Sequence, residues 1–104
     1  YAALASFVPT VVDRRLELVT RHSCIYDGVR FGHLVLHDGG ALVSLLVTAG
    51  AAPSSARLES FDRGVAVASL PAGRFVAFVV ASSDQARVLR LAQAFAAPLS
   101  SHLA

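Results

Sequence analysis

The chain has 104 residues, of which 55% are hydrophobic and 15% charged, with a formal net charge of +2. This is the length of one domain, and the apolar fraction excludes a disordered or highly charged, fully solvated chain. The nine basic residues, all arginine, are scattered along the sequence. A nucleic-acid-binding surface would cluster them with stacking aromatic residues, so we expect no nucleic-acid partner.

The first predicted element, residues 1–15, has the pattern of a helical lead-in. Leu4, Phe7 and Val11 recur at helical spacing. Pro9 interrupts this pattern, because proline lacks the N–H that a helix interior needs. We therefore expect a turn followed by a second short helix.

From residue 16 onward the apolar period changes to two, which is typical of β-strands. The five predicted strands cover residues 16–26, 29–37, 41–48, 64–70 and 74–81. Asp-Gly pairs separate the first three strands, and this dipeptide favours a hairpin turn with positive φ at both positions. Residues 49–57 form a loop by composition. The fifth strand is apolar on both faces, which predicts a central strand covered on both sides.

A helix is predicted to begin after residue 82, with Ser82 as N-cap and Gln85 completing a capping box. Its buried stripe is Val88, Leu91, Ala92 and Phe95, whereas Arg87 and Arg90 face solvent. Pro98 is expected to end or kink it. The predicted fold class is therefore α+β: an antiparallel meander of about five strands, with an N-terminal helical segment and a C-terminal helix packed on the sheet.

The Asp27-Gly28 turn fixes a register for the first hairpin. If these two residues form the loop, His22 lies directly opposite His33, and Cys24 lies on the same face at a diagonal position. Two imidazoles and a thiolate are ligands that Zn or Cu prefers. The sequence therefore suggests a transition metal site formed by His22, Cys24 and His33.

The second turn extends this map. With Asp38-Gly39 as the loop, Ser44 lies opposite His33 and joins the same face, while His37 lies opposite Gly40. His37 is too far along the strand to share an ion with Cys24. His102, near the C-terminus, has no predicted position.

Three other interpretations of these residues stay open. The histidine pair is equally consistent with a half-buried polar patch, and Cys24 with a small core residue. A one-residue slip of the register would send every side chain to the other face. A neighbouring histidine could also make Cys24 a redox-sensitive thiol. Because three ligands fall short of the four of a structural zinc site, the alternative is that no metal binds.

The sequence contains no complete motif of a catalytic site. Ser23 or Ser44 with His33 could be imagined as nucleophile and base, but no Gly-x-Ser-x-Gly motif is present. Gly39-Gly40 lies in a hairpin rather than before a helix, so it is no phosphate loop. We therefore expect a protein that is not an enzyme.

A common pattern joins His22-Ser23-Cys24, the segment 31–36 with His33, and the apolar runs at 43–48 and 75–82. This pattern resembles the C-terminal domain of bacterial membrane-anchored anti-sigma factors, and the resemblance spans about residues 8–103. Its most distinctive points are His22-Ser23-Cys24 and His33, with further matches in the apolar runs at 43–48 and 75–82. Proteins of this family carry an N-terminal zinc-finger-type module that binds a sigma factor, one membrane span and an extracytoplasmic sensor domain.

The resemblance implies a regulator, in which residues 1–104 are a single sensor domain and a fragment of a longer protein. It would lie in the periplasm or elsewhere outside the cytoplasm, tethered through an upstream membrane anchor and relaying a signal to an upstream sigma-factor-binding module. Our first hypothesis is thus a non-enzymatic sensor that binds a transition metal ion. The alternative is a protein-interaction or homodimerisation module without a metal site, using an apolar sheet face.

Overall fold

The computed structural model describes residues 2–104, with the side chains from Ala3 onward. A single antiparallel sheet and a C-terminal helix dominate it, which confirms the α+β class. The elements are β1 (Leu16–Tyr26), β2 (Val29–Asp38), β3 (Ala41–Ala49), β4 (Arg57–Asp62), β5 (Val65–Ala72), β6 (Phe75–Ala81) and α1 (Gln85–His102). The strand order is β1-β2-β3-β6-β5-β4, so β1 and β4 are the edges.

The expected count of five strands is wrong, because the sheet has six. The additional strand, β4, is an edge strand with mostly exposed residues and a register shift between Leu58 and Ser60. This irregularity interrupts the alternation of apolar and polar residues that a sequence pattern depends on. The two three-stranded meanders β1-β2-β3 and β4-β5-β6 pair through β3 and β6, so the sheet is not one continuous meander.

The expectation of an N-terminal helical segment is also wrong, because the described residues of this segment, 2–15, form no α-helix. Its first residue, Tyr1, lies outside the described residues, and the rest forms two short 3-10 helices, Ala2–Ser6 and Pro9–Val11. Three residues per turn place Leu4 and Phe7 on the same side, and both are buried. Since Pro9 separates two segments this short, neither reaches the length at which an α-helix becomes stable.

Helix α1 begins later and ends later than the sequence predicts. Its N-cap is Asp84 rather than Ser82, and the Asp84 carboxylate accepts a hydrogen bond from the backbone N–H of Arg87 (2.8 Å). The helix does not end at Pro98, and its buried stripe continues through Leu99. Within residues 2–104, no helix combines the length and the apolar character needed to cross a bilayer.

The core lies between α1 and one face of the sheet. The helix contacts mainly β5, where Ala66, Ala68 and Ala72 are fully buried. Because alanine is small, this row lets the helix approach the strand closely. Phe7 extends the cover toward β1 and β2, and its ring lies 6.1 Å from that of Phe95 on the helix.

An ion-pair cluster connects the first turn of α1 to the β2–β3 hairpin. Arg87, expected to face solvent, instead donates two hydrogen bonds to the Asp38 carboxylate, at 2.8 and 2.7 Å. These hydrogen bonds are the main cause that lowers the pKa of Asp38 below its usual value. Asp13 lies 3.7 Å from the same guanidinium, and hydrogen bonds from Arg15 lower the pKa of Asp13 to about 2.

We predict that Arg87→Ala lowers the free energy of unfolding by about 1–2 kcal/mol, because it removes a paired charge that is mostly buried. Arg90→Ala, on an exposed position of the same helix, serves as the control and should change stability by less than about 0.5 kcal/mol. Urea denaturation at neutral pH checks both values.

The Arg87 effect should also depend on pH with a defined sign. Because the folded-state pKa of Asp38 is lowered, its ionisation stabilises the fold above the unfolded pKa of ~3.9, and this contribution is lost as the pH falls through the folded value. The difference between wild type and Arg87→Ala should therefore shrink below about pH 4. A difference that is the same at pH 3 and pH 7 would contradict this account of the pair.

Close packing of α1 on β5 generates a second prediction. Ala68→Leu should destabilise the protein by about 1–3 kcal/mol, because added methyl groups push the helix away from the strand. Val67→Leu adds one methylene at the neighbouring position, on the opposite face of the sheet, and should cost less. Thermal unfolding of the two variants measures the difference, and equal losses would show that the helix does not approach as closely as described.

Candidate functional site

The His22–His33 pair is formed by the hairpin of β1 and β2. Asp27 and Gly28 have φ values of 51° and 76°, the positive values of a type I′ turn. Tyr26 consequently pairs with Val29, and His22 lies directly opposite His33, as the sequence predicts. The two imidazole centroids are 4.5 Å apart, with the rings inclined at 68°.

A chain of hydrogen bonds runs through this pair to Ser44 on β3. His33 Nδ1 lies 2.9 Å from His22 Nε2, and His33 Nε2 lies 2.9 Å from Ser44 Oγ. A neutral imidazole has one N–H and one acceptor nitrogen. Both contacts can form in either direction. If the Ser44 hydroxyl donates to His33 Nε2 and His33 Nδ1–H donates to His22 Nε2, the proton of the half-buried hydroxyl also has an acceptor, so we favour this direction.

Ser44 reaches His33 from a different register position than expected. The loop of the second hairpin is Gly39-Gly40 instead of Asp38-Gly39, with Asp38 pairing Ala41. Gly39 has a φ of 62°, and glycine at the first loop position is typical of a type II′ turn. The opposite partner of His33 is therefore Leu46, whereas Ser44 lies diagonally across.

The corrected loop position changes the residue opposite each member of the second hairpin, but not the side of the sheet to which a side chain points. His37 lies opposite Leu42 instead of Gly40, and it is exposed. Because the pairing moves by an even number of residues, each side chain stays on its predicted face. His102, which had no predicted position, contacts Ser6 Oγ at 3.0 Å and the carbonyl of Ala3 at 2.6 Å, away from the pair.

Cys24 lies on the same face as His22, opposite Phe31, and is half-buried. Among residues 2–104, no three His, Cys, Asp or Glu side chains form a group that could hold a metal ion. The structure thus brings together His22, His33 and Ser44, and it does not gather Cys24 with the two histidines into a three-ligand set.

Electrostatics favour the neutral form of His33. Its half-buried position lowers its pKa, and the adjacent His22 lowers it further, because a second positive charge so close is unfavourable. An imidazole whose pKa is below its ordinary value is neutral at physiological pH. His33 is therefore a lone-pair donor under those conditions.

The order serine–imidazole–imidazole resembles the order of a catalytic triad, but the surroundings do not suit acyl transfer. Ser44 pairs with Val35 on one side and Val80 on the other. Backbone N–H groups of such a central strand belong to the two ladders, so they are not directed at a developing oxyanion. The three hydrogen-bonded side chains can instead accept a proton or donate nitrogen lone pairs to an ion.

A cavity of about 330 Å³ lies against the same two strands, and its lining includes His22 and His33 together with Arg21 and Arg30. The Arg21 guanidinium donates a hydrogen bond to the carbonyl of Phe7 at 2.9 Å, so it holds the N-terminal segment. We therefore place the candidate site at the histidine pair, whose nitrogens are the groups of this lining that can donate lone pairs to an ion.

We predict that the neutral His33 imidazole carries its proton on Nδ1. Long-range ¹⁵N–¹H NMR of the imidazole nitrogens measures this directly. Ser44→Ala should shift the Nε2 resonance because it removes the donated hydrogen bond, whereas Ser60→Ala, on the β4 edge, should leave it unchanged. A proton on Nε2 in the wild type would contradict the proposed direction of the hydrogen bonds from Ser44 to His33 and from His33 to His22.

Comparisons with protein-family models, with curated proteins and with solved structures find no match for this chain. What the site does must therefore be inferred from its own geometry, and the resemblance to anti-sigma factors enters only as part of a proposal.

Proposed function

We propose that this chain is a non-enzymatic ligand-binding domain of a regulatory protein, of the anti-sigma-factor type that its sequence resembles. Its ligand is a transition metal ion, Zn or Cu, bound by the imidazoles of His22 and His33. The observation that carries this proposal is the 2.9 Å separation of His22 Nε2 and His33 Nδ1.

This separation suits two ligands of one ion. Metal–imidazole bonds are ~2.0–2.1 Å long, so two nitrogens at adjacent positions of a square-planar or tetrahedral ion lie about 2.9–3.4 Å apart. The two rings have to turn so that their lone pairs converge on the ion instead of sharing a proton. His22 is exposed on the edge strand β1, so its ring can turn without repacking the core.

Ser44 has the role of a positioning residue. When Nδ1 of His33 binds the ion, the imidazole proton moves to Nε2, which then donates to the Ser44 hydroxyl. Metal-binding histidines commonly donate their second N–H in this way, which fixes the ring orientation. The existing 2.9 Å contact between Nε2 and Ser44 Oγ supports this role.

Cys24 is the third ligand that the sequence suggested. It lies two residues from His22 on the same face, but its pairing with Phe31 gives it an apolar neighbour. We therefore assign the ion to the two imidazoles, with water completing the coordination. In the parent regulator, binding outside the cytoplasm would be relayed through an upstream membrane anchor to a sigma-factor-binding module.

Calorimetric titration of the chelator-treated protein with Zn²⁺ and with Cu²⁺ tests the proposal. We expect one ion per chain, and His22→Ala or His33→Ala should weaken binding at least about tenfold, with Ser44→Ala giving about tenfold through the lost orientation. His37→Ala is the matched control, because His37 is an exposed histidine on the same strand as His33.

Two results would contradict this assignment. Unchanged affinity in both histidine variants would place any bound metal elsewhere. A loss in Cys24→Ser as large as that in His33→Ala would mean that the thiolate is a ligand and that the hairpin rearranges around the ion.

A further inference from the structure

Strand β6 has apolar residues on both faces, as a strand covered on both sides does. Its inward side chains, such as Val79, are buried under α1. Phe78 and Val80 point to the other side and are only half-buried, because no described helix lies there. The pattern of the strand is therefore typical of a sheet with a second layer, which residues 2–104 do not supply.

This second surface extends over the four central strands. We define the outer sheet face as the side chains that β2, β3, β6 and β5 direct away from α1. Its apolar members include Phe31, Val35, Leu42, Leu46, Val67, Phe78 and Val80. Loop 50–56 reaches one end of this face, where Pro53 lies near Phe78.

Charge is arranged around the outer sheet face rather than within it. None of the outward positions on the four central strands, all of them in the described part of the chain, is Asp, Glu or Arg. Charged side chains begin on the edge strands, with Glu17 on β1 and with Arg57 and Asp62 on β4. An apolar centre with a polar rim is the usual composition of a protein–protein interface.

Four polar side chains within the outer sheet face already have partners. Ser44 and His33 bond to each other, Ser69 donates to Glu59 at 2.8 Å, and Thr48 donates to the carbonyl of Arg30 at 2.8 Å. Covering a polar group is costly only when its hydrogen bonds are lost. This face can therefore be covered without leaving those groups unpaired.

We propose that a second copy of this chain packs on the outer sheet face, so that two sheets form a sandwich across a two-fold axis. The molecule measures 29 × 26 × 25 Å. One whole side of such a molecule covers on the order of 700 Å², and the outer sheet face takes up four of the six strands on that side. Each copy would therefore bury less than the ~800 Å² of a standard interface, which places the dimer among the smaller interfaces.

Because the outward positions of the four central strands carry no charged residue, this face suits a second copy of the chain better than a charged partner. An acidic or basic partner surface would find no counter-charge on the central strands, whereas an identical apolar face leaves nothing unpaired. The net charge of each chain is only +2, so repulsion between two copies is small. Aligned sheets pack well at about 10 Å separation.

Self-association and metal binding are separable. His33 and Ser44 belong to the outer sheet face, but the two nitrogens proposed to bind the ion lie at its border with the edge strand β1, whereas its centre lies on β3 and β6. The dimer should therefore persist in EDTA, and a monomeric variant should still bind Zn²⁺ if the proposed function holds. Failure of one proposal thus leaves the other testable.

Sedimentation of the full chain over a wide concentration range, with and without EDTA, tests the dimer. We expect a dimer in both conditions. Val67→Glu and Leu42→Glu, which change two residues of this face that do not pair with His33, should raise its Kd at least about tenfold, equivalent to roughly 1.4 kcal/mol. Val11→Glu is the control, because Val11 is 68% exposed but lies outside the sheet; circular dichroism establishes that each variant is folded.

Three results would overturn this proposal. These are a wild-type monomer at high concentration, a dimer lost in EDTA, and equal dissociation of the control variant. Concentration-dependent NMR shifts give a second readout, which should be confined to the outer sheet face. Shifts centred on α1 would show that another surface forms the contact.

Discussion

The positive φ values at Asp27 and Gly28 are the constraint on which the candidate site depends. Only a few residue types adopt them in succession without strain, so the first hairpin has one loop and one register. A slip of a single residue would turn His22 and His33 toward the helix side of the sheet. The chemistry of this surface is therefore a consequence of backbone conformation several residues away.

Local chemistry made much of the first hairpin predictable. The end of β1, the opposition of His22 and His33 and the face of Cys24 all follow from one Asp-Gly pair. The prediction failed at the second hairpin, where the sequence allows two positions of the tight loop. Asp38-Gly39 and Gly39-Gly40 both suit a tight loop, and the Asp38 carboxylate is instead used by Arg87, a contact distant in sequence.

Other misses have the same origin. Ser82 and Asp84 are both good N-caps, and the carboxylate of the later one, Asp84, accepts the backbone N–H of Arg87. Strand β4 lacks a clean alternation because of its irregular register, although Arg63-Gly64 after it adopts the positive φ values of a tight turn. The sequence predicts Ser44 on the same face as His33 and directly opposite it, whereas the observed hydrogen bond runs diagonally, because the loop of the second hairpin begins one residue later.

The strand order has a consequence for how the chain reaches its native state. Four of the five strand pairings join neighbours in sequence, and only β3 with β6 is distant. Each half of the sheet can form by pairing strands that are neighbours in sequence, whereas joining the two halves requires closing one longer loop. The rate at which this protein folds should therefore be governed by that central pairing, far from the hairpin that carries the histidines.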